Sequence, residues 1–182
     1  MTAWAPLCRG ARPRTISAQV ATTSEIEFRV ASVDDGPGGE LAQAMRDEIA
    51  EIYDGLELDG PSMPKAGAEE LSPPGGAFIV GLRDGEPVCC GGVKRLTTEI
   101  CEIKKMYVVP EARGQGVARI LLHELETTAL ALGYPVARLD TGPKQVHAQA
   151  LYRSEGYEEV EDFNGNPVAV FWGEKRLGEG PR

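Results

Sequence analysis

The chain has 182 residues, 42% of them hydrophobic, and a net charge of −9. This length can bury a sizeable core in one domain, and the apolar content is ordinary for a globular protein. The negative charge argues against general binding to the phosphate backbone of nucleic acids, and no apolar run is long enough to span a bilayer. We therefore expect neither a nucleic-acid partner nor a membrane partner.

The first 24 residues differ from the rest, because they carry Arg9, Arg12 and Arg14 and no acidic residue. They lack the apolar core of a secretory signal. We expect residues 1–24 to be a disordered N-terminal extension, with a transit peptide as the alternative. Residues 25–182 are expected to form a single domain.

A strand, a helix and a long connection are the first predicted elements. Residues 26–33 (IEFRVASV) alternate apolar and polar side chains, which predicts a strand. Residues 38–56 have apolar side chains at helical spacing and predict an amphipathic helix. Residues 55–76 are rich in Gly, Pro and Ser and predict an irregular connection, and connections of this length are often functional.

Three strands are predicted next. Residues 77–96 contain two β-rich runs separated by Asp84-Gly85, which is typical of a hairpin turn. Residues 99–109 (EICEIKKMYVV) predict a third antiparallel strand.

The second half of the chain alternates helices and strands. A helix is predicted over residues 115–132 with Gly133 as its C-cap, followed by a strand at 135–141. A short helix over 144–156 and a last strand over 167–175 complete the order β-α-β-β-β-α-β-α-β. This order predicts an α/β fold with a mixed, largely antiparallel sheet and flanking helices.

The cysteines indicate no metal site and no disulfide framework. There are four of them, Cys8, Cys89, Cys90 and Cys101. They form no C-x-x-C pair, and the chain has only two histidines, so we expect no metal cofactor. Three of the cysteines lie in predicted strands, where a reduced buried thiol is expected, as in a cytoplasmic protein.

The stretch VVPEARGQGVARILLHELE, residues 108–126, predicts an anion-binding loop. The first amides of the helix beginning near Gln115 have no intrahelical partner and carry the positive end of the helix dipole. Gly114 and Gly116 let a phosphate approach the main chain, and Arg113 adds a positive charge. The alternative is a helix cap whose glycines serve turn geometry alone. The stretch is neither G-x-G-x-x-G, since residue 119 is Arg, nor a P-loop.

Two motifs resemble those of the GNAT family of N-acetyltransferases. RGQGVA, residues 113–118, resembles the family's (Q/R)-x-x-G-x-(G/A) motif. QVHAQALYRSEGY, residues 145–157, resembles N-x-x-A-x-x-L-Y-x-x-x-G-(F/Y), with Gln145 in place of the usual Asn. The resemblance covers residues 26–176 and implies an acyl-CoA N-acyltransferase fold, a homodimer being compatible with the family. Residues 25–182 would then be the N-acetyltransferase domain, with acetyl-CoA as cosubstrate.

The resemblance also implies a coenzyme site. Main-chain groups of Met106, Tyr107 and Val108 would hold the pantetheine arm and the acetyl carbonyl, and Gln145 would bond the pantetheine amides. An opening between the strands around residues 107 and 137 would admit the thioester. The phosphates would be held by Arg113, Gly114, Gln115, Gly116, Val117 and Ala118.

Tyr152 and Glu102 are the candidate catalytic residues. Tyr152 occupies the family position whose hydroxyl protonates the leaving thiolate; its alternative is a packed ring with a hydroxyl at the surface. A free alkylamine has a pKa of about 10, so the acceptor needs a base or a path for its proton. The period-two rule places Glu102 on one strand face with Met106 and Val108. Its alternative is an exposed carboxylate paired with a neighbouring lysine, and Asp140 is the second candidate base.

These features predict acetyl transfer from acetyl-CoA to a primary amine of a small molecule, by direct attack in a ternary complex. Residues 37–76 would select the acceptor, and their acidic side chains favour a small cationic amine, an amino acid or a polyamine. Three alternatives stay open: a protein or peptide N-acetyltransferase, a non-catalytic acyl-CoA-binding sensor, and transfer of a longer acyl group.

Overall fold

The computed structural model describes residues 25–178, and the prediction for residues 1–24 lies outside the described residues. Three helices are present, α1 (Gly36–Ile52), α2 (Val117–Ala131) and α3 (Val146–Ser154), within this range. The strands of this range are β1 (Glu27–Val30), β2 (Ala77–Arg83), β3 (Glu86–Arg95), β4 (Ile100–Val108), β5 (Val136–Thr141), β6 (Glu158–Glu159) and β7 (Phe171–Arg176). A single 3-10 turn, Pro110–Ala112, follows β4.

The strands form one seven-stranded sheet in the order β1-β2-β3-β4-β5-β7-β6. Neighbouring strands are antiparallel except β4 and β5, which are parallel. The predicted α/β fold with a mixed, largely antiparallel sheet is therefore confirmed.

Helices cover both faces of this sheet. Leu41 and Ala42 of α1 are buried against Phe78 and Val80 on one face. On the other face, α2 contributes Leu121, Leu122 and Leu125, which are 0% exposed, and α3 contributes Tyr152. The two cores fix the sheet between α1 on one side and α2 with α3 on the other.

The predicted hairpin turn at Asp84-Gly85 and the predicted C-cap at Gly133 are both present in the structure. Asp84 and Gly85 connect β2 to β3 with φ of 54° and 86°, the left-handed conformation that a tight hairpin turn requires. Gly133 follows α2 with a φ of 93°, as expected of a C-cap glycine.

The last strand differs from its prediction, because β7 begins at Phe171 instead of residue 167, and the two-residue β6 was not predicted. The side chains of Asn164 and Asn166 explain the late start. Asn164 Oδ1 accepts a hydrogen bond from the amide of Asn166, and Asn166 Oδ1 accepts one from the amide of Val168. These local bonds hold the chain in turns and compete with strand pairing.

A bulge interrupts the pairing of β3 with β4. Lys104 pairs with Gly92 and Tyr107 with Cys90, so two residues of β4, Lys105 and Met106, lie opposite Gly91 alone. Lys105 takes a φ of 55°, which is uncommon for a residue other than glycine. Such a bulge bends the strand and redirects the side chains that follow it.

The bulge corrects the prediction that Glu102 shares a strand face with Met106 and Val108. Met106 and Val108 pack with Ile103 in the core under α2. Glu102 instead lies on the face of α1, where it pairs with Lys94, whose ammonium donates to the carbonyl of Lys65 in the connection after α1. The period-two rule fails here because the extra residue shifts the alternation by one position.

Strands β4 and β5 separate soon after they meet. Their parallel register covers only Ile100 with Val136, Cys101 with Ala137 and Glu102 with Arg138. Beyond this point both strands continue, to Val108 and Thr141, without pairing to each other. The sheet is therefore split between its two halves, as the predicted opening requires.

Leu125→Ala is expected to destabilise the fold by about 2–5 kcal/mol, because this buried side chain of α2 packs against Gly91 next to the bulge. Denaturant unfolding followed by circular dichroism measures the change. Leu130→Ala is the control, since Leu130 lies on the same helix but is 44% exposed, and should stay within about 0.5 kcal/mol of wild type. Equal losses in both variants would contradict the assigned packing of α2.

Candidate active site

The loop before α2 presents main-chain amides. Helix α2 has Gly116 as its N-cap, in the left-handed conformation, and no side chain caps its first amides. Gly114 is also left-handed, and a Cβ at either glycine would have no atom within 4 Å. Within residues 25–178, no hydrogen bond engages the amides from Gly114 to Ala118. The glycines thus supply backbone conformation and leave open space over the amides, which suits an anionic group.

Arg113 lies beside these amides but is held by other groups. Its guanidinium donates to Glu48 of α1 at 2.6 Å and to the carbonyl of Val108 at 2.9 Å. It also lies over the ring of Tyr107, 5.6 Å from the ring centroid. The main-chain amides, more than the Arg113 charge, are therefore the free donors of this loop.

Gln115 shapes the loop from within. Its amide nitrogen donates to the carbonyl of Glu111, and its oxygen accepts from Arg83 at the end of β2. Arg83 was not predicted as a loop partner, because it lies 32 residues from Gln115 in sequence. Val117 is 1% exposed and packs into the core. Its burial fixes the position of the N-terminal end of α2, which carries the open amides.

A cleft of about 160 Å³ lies where β4 and β5 separate. Its walls come from α1, the connection between α1 and β2, the bulged part of β4, the end of β5 and α3. Met106 of β4 lines it together with Gln145 and Tyr152 of the second motif, whereas no residue of the first motif, 113–118, does.

Tyr152 is buried at the base of this cleft, with 7% of its surface exposed. Its hydroxyl lies 3.7 Å from the sulfur of Met106, and its ring stacks on Phe171. Burial raises the pKa of this phenol well above its usual value. The hydroxyl therefore keeps its proton at neutral pH and can donate it.

Gln145 holds the turn between β5 and α3. Its side-chain oxygen accepts from the hydroxyl of Thr141 and from the amide of Gly142. Its amide nitrogen has no hydrogen-bond partner among the described residues and belongs to the cleft wall. Gln145 can thus donate into the cleft while it fixes the local backbone.

Glu102 is enclosed. It is 0% exposed, and its carboxylate lies 3.0 Å from the ammonium of Lys94 and 3.2 Å from that of Lys104. Asn164 donates to it at 2.7 Å. Glu102 does not line the cleft. It is connected to the cleft through Lys104 and through Asn164, which also bonds Asp140.

Asp140 reaches the cleft directly from the end of β5. Lys104 crosses the split and bonds its carboxylate at 2.8 Å, while Asn164 and Asn166 donate to the other oxygen. Burial opposes ionisation of Asp140, but these partners outweigh it and lower its pKa. Burial likewise opposes the charge on Lys104, but Glu102 and Asp140 outweigh it and raise the Lys104 pKa. Both groups are therefore charged at neutral pH.

Asn164 and Asn166 belong to this site but were not predicted as site residues. Their stretch NGNP was assigned only a turn, which is correct for the backbone. Their side chains also reach across to β4 and β5, and Trp172 holds Asn164 in place through its indole nitrogen at 3.1 Å. Two asparagines in one short loop were the available signal, because this residue type both shapes turns and donates hydrogen bonds.

The three cysteines of the described range are free and buried, as predicted. Burial raises the pKa of Cys89 to about 11 and those of Cys90 and Cys101 to about 12. They are thiols at neutral pH and poor nucleophiles. Between residues 25 and 178, no cluster of three or more His, Cys, Asp or Glu side chains is arranged for a metal ion, and no helix has the length and apolarity needed to cross a membrane.

Known proteins resemble this chain in sequence and in fold. A family model described as the acetyltransferase (GNAT) family matches residues 42–157. The uncharacterized N-acetyltransferase YjgM of Escherichia coli K12 is 33% identical over 150 residues, 78% of this chain and 87% of that protein. An IAA acetyltransferase of Azospirillum brasilense is 35% identical over 108 residues, 57% of this chain and 70% of that protein.

A solved structure agrees with the fold. A GNAT family acetyltransferase of Elizabethkingia anophelis with acetyl-CoA bound superimposes with a TM-score of 0.61 at 17% identity, over 84% of this chain and 98% of that one. The predicted resemblance is therefore confirmed: the chain belongs to the GNAT family and is an N-acetyltransferase.

Proposed function

We propose that this protein transfers the acetyl group of acetyl-CoA to the primary amine of a small molecule, by direct attack within a ternary complex. Two observations along one stretch of chain carry the proposal: β4 lines the cleft that contains Tyr152 as far as Met106, and the loop that follows β4 presents the open amides of Gly114–Ala118. The amides suit a diphosphate, and the cleft offers a proton donor beside the split in the sheet.

The residues present fit acetyl-CoA, which supplies the thioester when bound. Left-handed glycines open the space over the amides, so Gly114–Ala118 would hold the pyrophosphate. Met106, Tyr107 and Val108 would hold the pantetheine arm along β4, and the free amide nitrogen of Gln145 would bond it from the other side of the split. Arg113 would add to phosphate binding only after it leaves Glu48.

Tyr152 would supply the proton that the departing sulfur needs. The hydroxyl already contacts a sulfur atom, that of Met106, at 3.7 Å. Burial raises the pKa of this phenol, so it stays neutral across the physiological range and holds a proton to give. The shift does not strengthen it as an acid, so its placement beside a sulfur is what supports the role. A sensor without turnover would not require such a donor, so this residue favours catalysis over coenzyme sensing.

We assign Glu102 a positioning role, because it is sealed from the cleft and acts through Lys104 and Asn164. Asp140 lies at the cleft and would orient the acceptor's amine, since its carboxylate oxygen bonded by Lys104 can accept a further hydrogen bond. Its lowered pKa makes Asp140 a weak base, so the amine would release its proton to water entering the cleft. The reaction rate should consequently rise with pH until the acceptor amine is neutral.

A small acceptor fits this site better than a folded protein does. The cleft has a volume of about 160 Å³, and α1 with the connection that follows it forms part of its wall. This volume is smaller than the ~300–1,000 Å³ of pockets that hold drug-sized ligands.

Release of free coenzyme A tests the proposed function. Purified protein is mixed with acetyl-CoA and a panel of amines comprising amino acids, amino acid amides, polyamines and aromatic amines, and free thiol is detected with a chromogenic reagent. Thiol release should require both a member of the panel and the protein. Binding of acetyl-CoA without thiol release for every amine would contradict the proposal and support a sensor.

Gly116→Glu should abolish coenzyme A binding, because it places bulk and negative charge over the amides. Gly133→Glu is the matched control, since Gly133 is also left-handed with open space at its Cβ but lies at the opposite end of α2. Both variants carry the same backbone strain, so the difference between them isolates the phosphate site. Calorimetric titration with coenzyme A measures both, and equal affinities would overturn the assignment of the loop.

Tyr152→Phe should lower kcat by about 10²–10⁴-fold, the usual range for a lost acid, and leave the Kd for acetyl-CoA unchanged. Tyr157→Phe serves as the comparison, because this second buried tyrosine has its ring 6.0 Å from that of Tyr152 but does not line the cleft. Steady-state kinetics and calorimetry separate the two effects. If Tyr152 served only to pack the core, the substitution would instead lower kcat and the affinity for acetyl-CoA together.

A further inference from the structure

Lys105 is a buried cation whose partner carboxylate is distant and exposed to solvent. Its side chain is only 7% exposed, and the residue lines the cleft. The nearest carboxylate is that of Asp59, at 3.6 Å, which is beyond a normal hydrogen bond. No hydrogen bond from its ammonium to any residue of the described range is formed, which is unusual for a lysine so deeply placed.

The neighbouring lysine has a different environment. Lys104 and Lys94 face two buried carboxylates, Glu102 and Asp140, at 2.8–3.2 Å. Two positive and two negative charges therefore balance on that side of the cleft. Lys104 has no spare charge with which to bind a ligand.

The charges around Lys105 do not balance. Asp59 lies between two cations, Lys105 at 3.6 Å and Arg46 at 3.7 Å. The side chain of Asp59 is also 63% exposed, so water screens the little compensation that it provides. This end of the cleft consequently carries one excess positive charge.

The bulge brings this charge into the cleft. Consecutive side chains of a regular strand point to opposite faces, yet Lys104 and Lys105 both line the same cleft. The left-handed backbone of Lys105 makes this possible. Burial lowers the pKa of Lys105, and the nearby Asp59 carboxylate offsets this only in part.

We propose that the acceptor is a small amine that also carries a carboxylate, as an amino acid does, and that Lys105 binds this carboxylate. The inference rests on the proposed function and deepens it. Asp140 would face the amino group and Lys105 the carboxylate, and both line one cleft of about 160 Å³, so only a few atoms separate the two groups of the acceptor. The acidic residues of the connection predicted a small cationic amine, an amino acid or a polyamine. They do not select among these three classes, because Asp59 is already paired with Lys105 and Arg46.

Each of the twenty protein amino acids is compared with its own α-carboxamide in the thiol-release assay. The two members of a pair have the same side chain and differ in the charge of one group. Because loss of the carboxylate also lowers the pKa of the neighbouring amine, kcat/KM is compared for the neutral amine of each, from measurements over a range of pH. The wild type should acetylate at least one amino acid with a kcat/KM about 10- to 100-fold above that of its carboxamide, the range expected for a charge-assisted hydrogen bond.

Lys105→Gln should remove this preference by lowering kcat/KM for the amino acid alone and leaving its carboxamide unaffected. Lys144→Gln is the control, since this lysine lies near the cleft, over the ring of Tyr53, but is 50% exposed and paired with Asp54. It should retain the preference. A thermal melt tests whether each variant is folded. The comparison of an amino acid with its carboxamide is also made in the wild-type protein, so it does not depend on any variant.

The two proposals fail in distinguishable ways. If no amine of any class releases thiol, the proposed function is wrong. If polyamines, aromatic amines or carboxamides are acetylated while amino acids are not preferred, the proposed function stands and the inference about Lys105 is wrong. If Lys105→Gln lowers kcat/KM equally for the amino acid and for its carboxamide, the inference about Lys105 is also wrong.

Discussion

The bulge in β4 is the constraint on which the site depends. With one extra residue opposite Gly91, the strand directs Glu102 and Lys104 toward α1 before the bulge and Met106 toward α2 after it. A regular strand would place all three on one face. The bulge therefore separates a charged side of the cleft from an apolar side, and the hydroxyl of Tyr152 meets the apolar one at Met106.

Beyond residue 102 of β4, a side-chain ion pair connects β4 to β5, where backbone hydrogen bonds between the two strands have ended. Lys104 spans the split to Asp140, and Asn164 contacts both carboxylates from the loop before β7. Buried ion pairs of this kind add little net stability, and well-packed apolar residues would often be at least as stable. Their presence is better explained by the geometry of the cleft. They fix the spacing between the ends of β4 and β5, which do not pair with each other there, and so leave the cleft open.

The fold could be predicted from the sequence where a local signal agrees with the final structure. The hairpin at Asp84-Gly85, the cap at Gly133 and the two motifs each depend on a few adjacent residues. The position of Glu102 could not be predicted in this way, because a bulge at Lys105 has no signature in a run of strand-forming residues and reverses every side chain after it. The roles of Asn164 and Lys105 depend on partners tens of residues away in sequence, which no periodicity reveals.

In the proposed function, the loop before α2 would hold the coenzyme through backbone groups, whereas the acceptor would contact side chains of α1, the connection after it, β4 and β5. Backbone amides remain when side chains are replaced, provided that the glycines keep their left-handed conformation. Substitutions on the acceptor side can therefore accumulate without disturbing the donor side. A chain built in this way is free to change the molecule it modifies during evolution while it keeps the same source of acetyl groups.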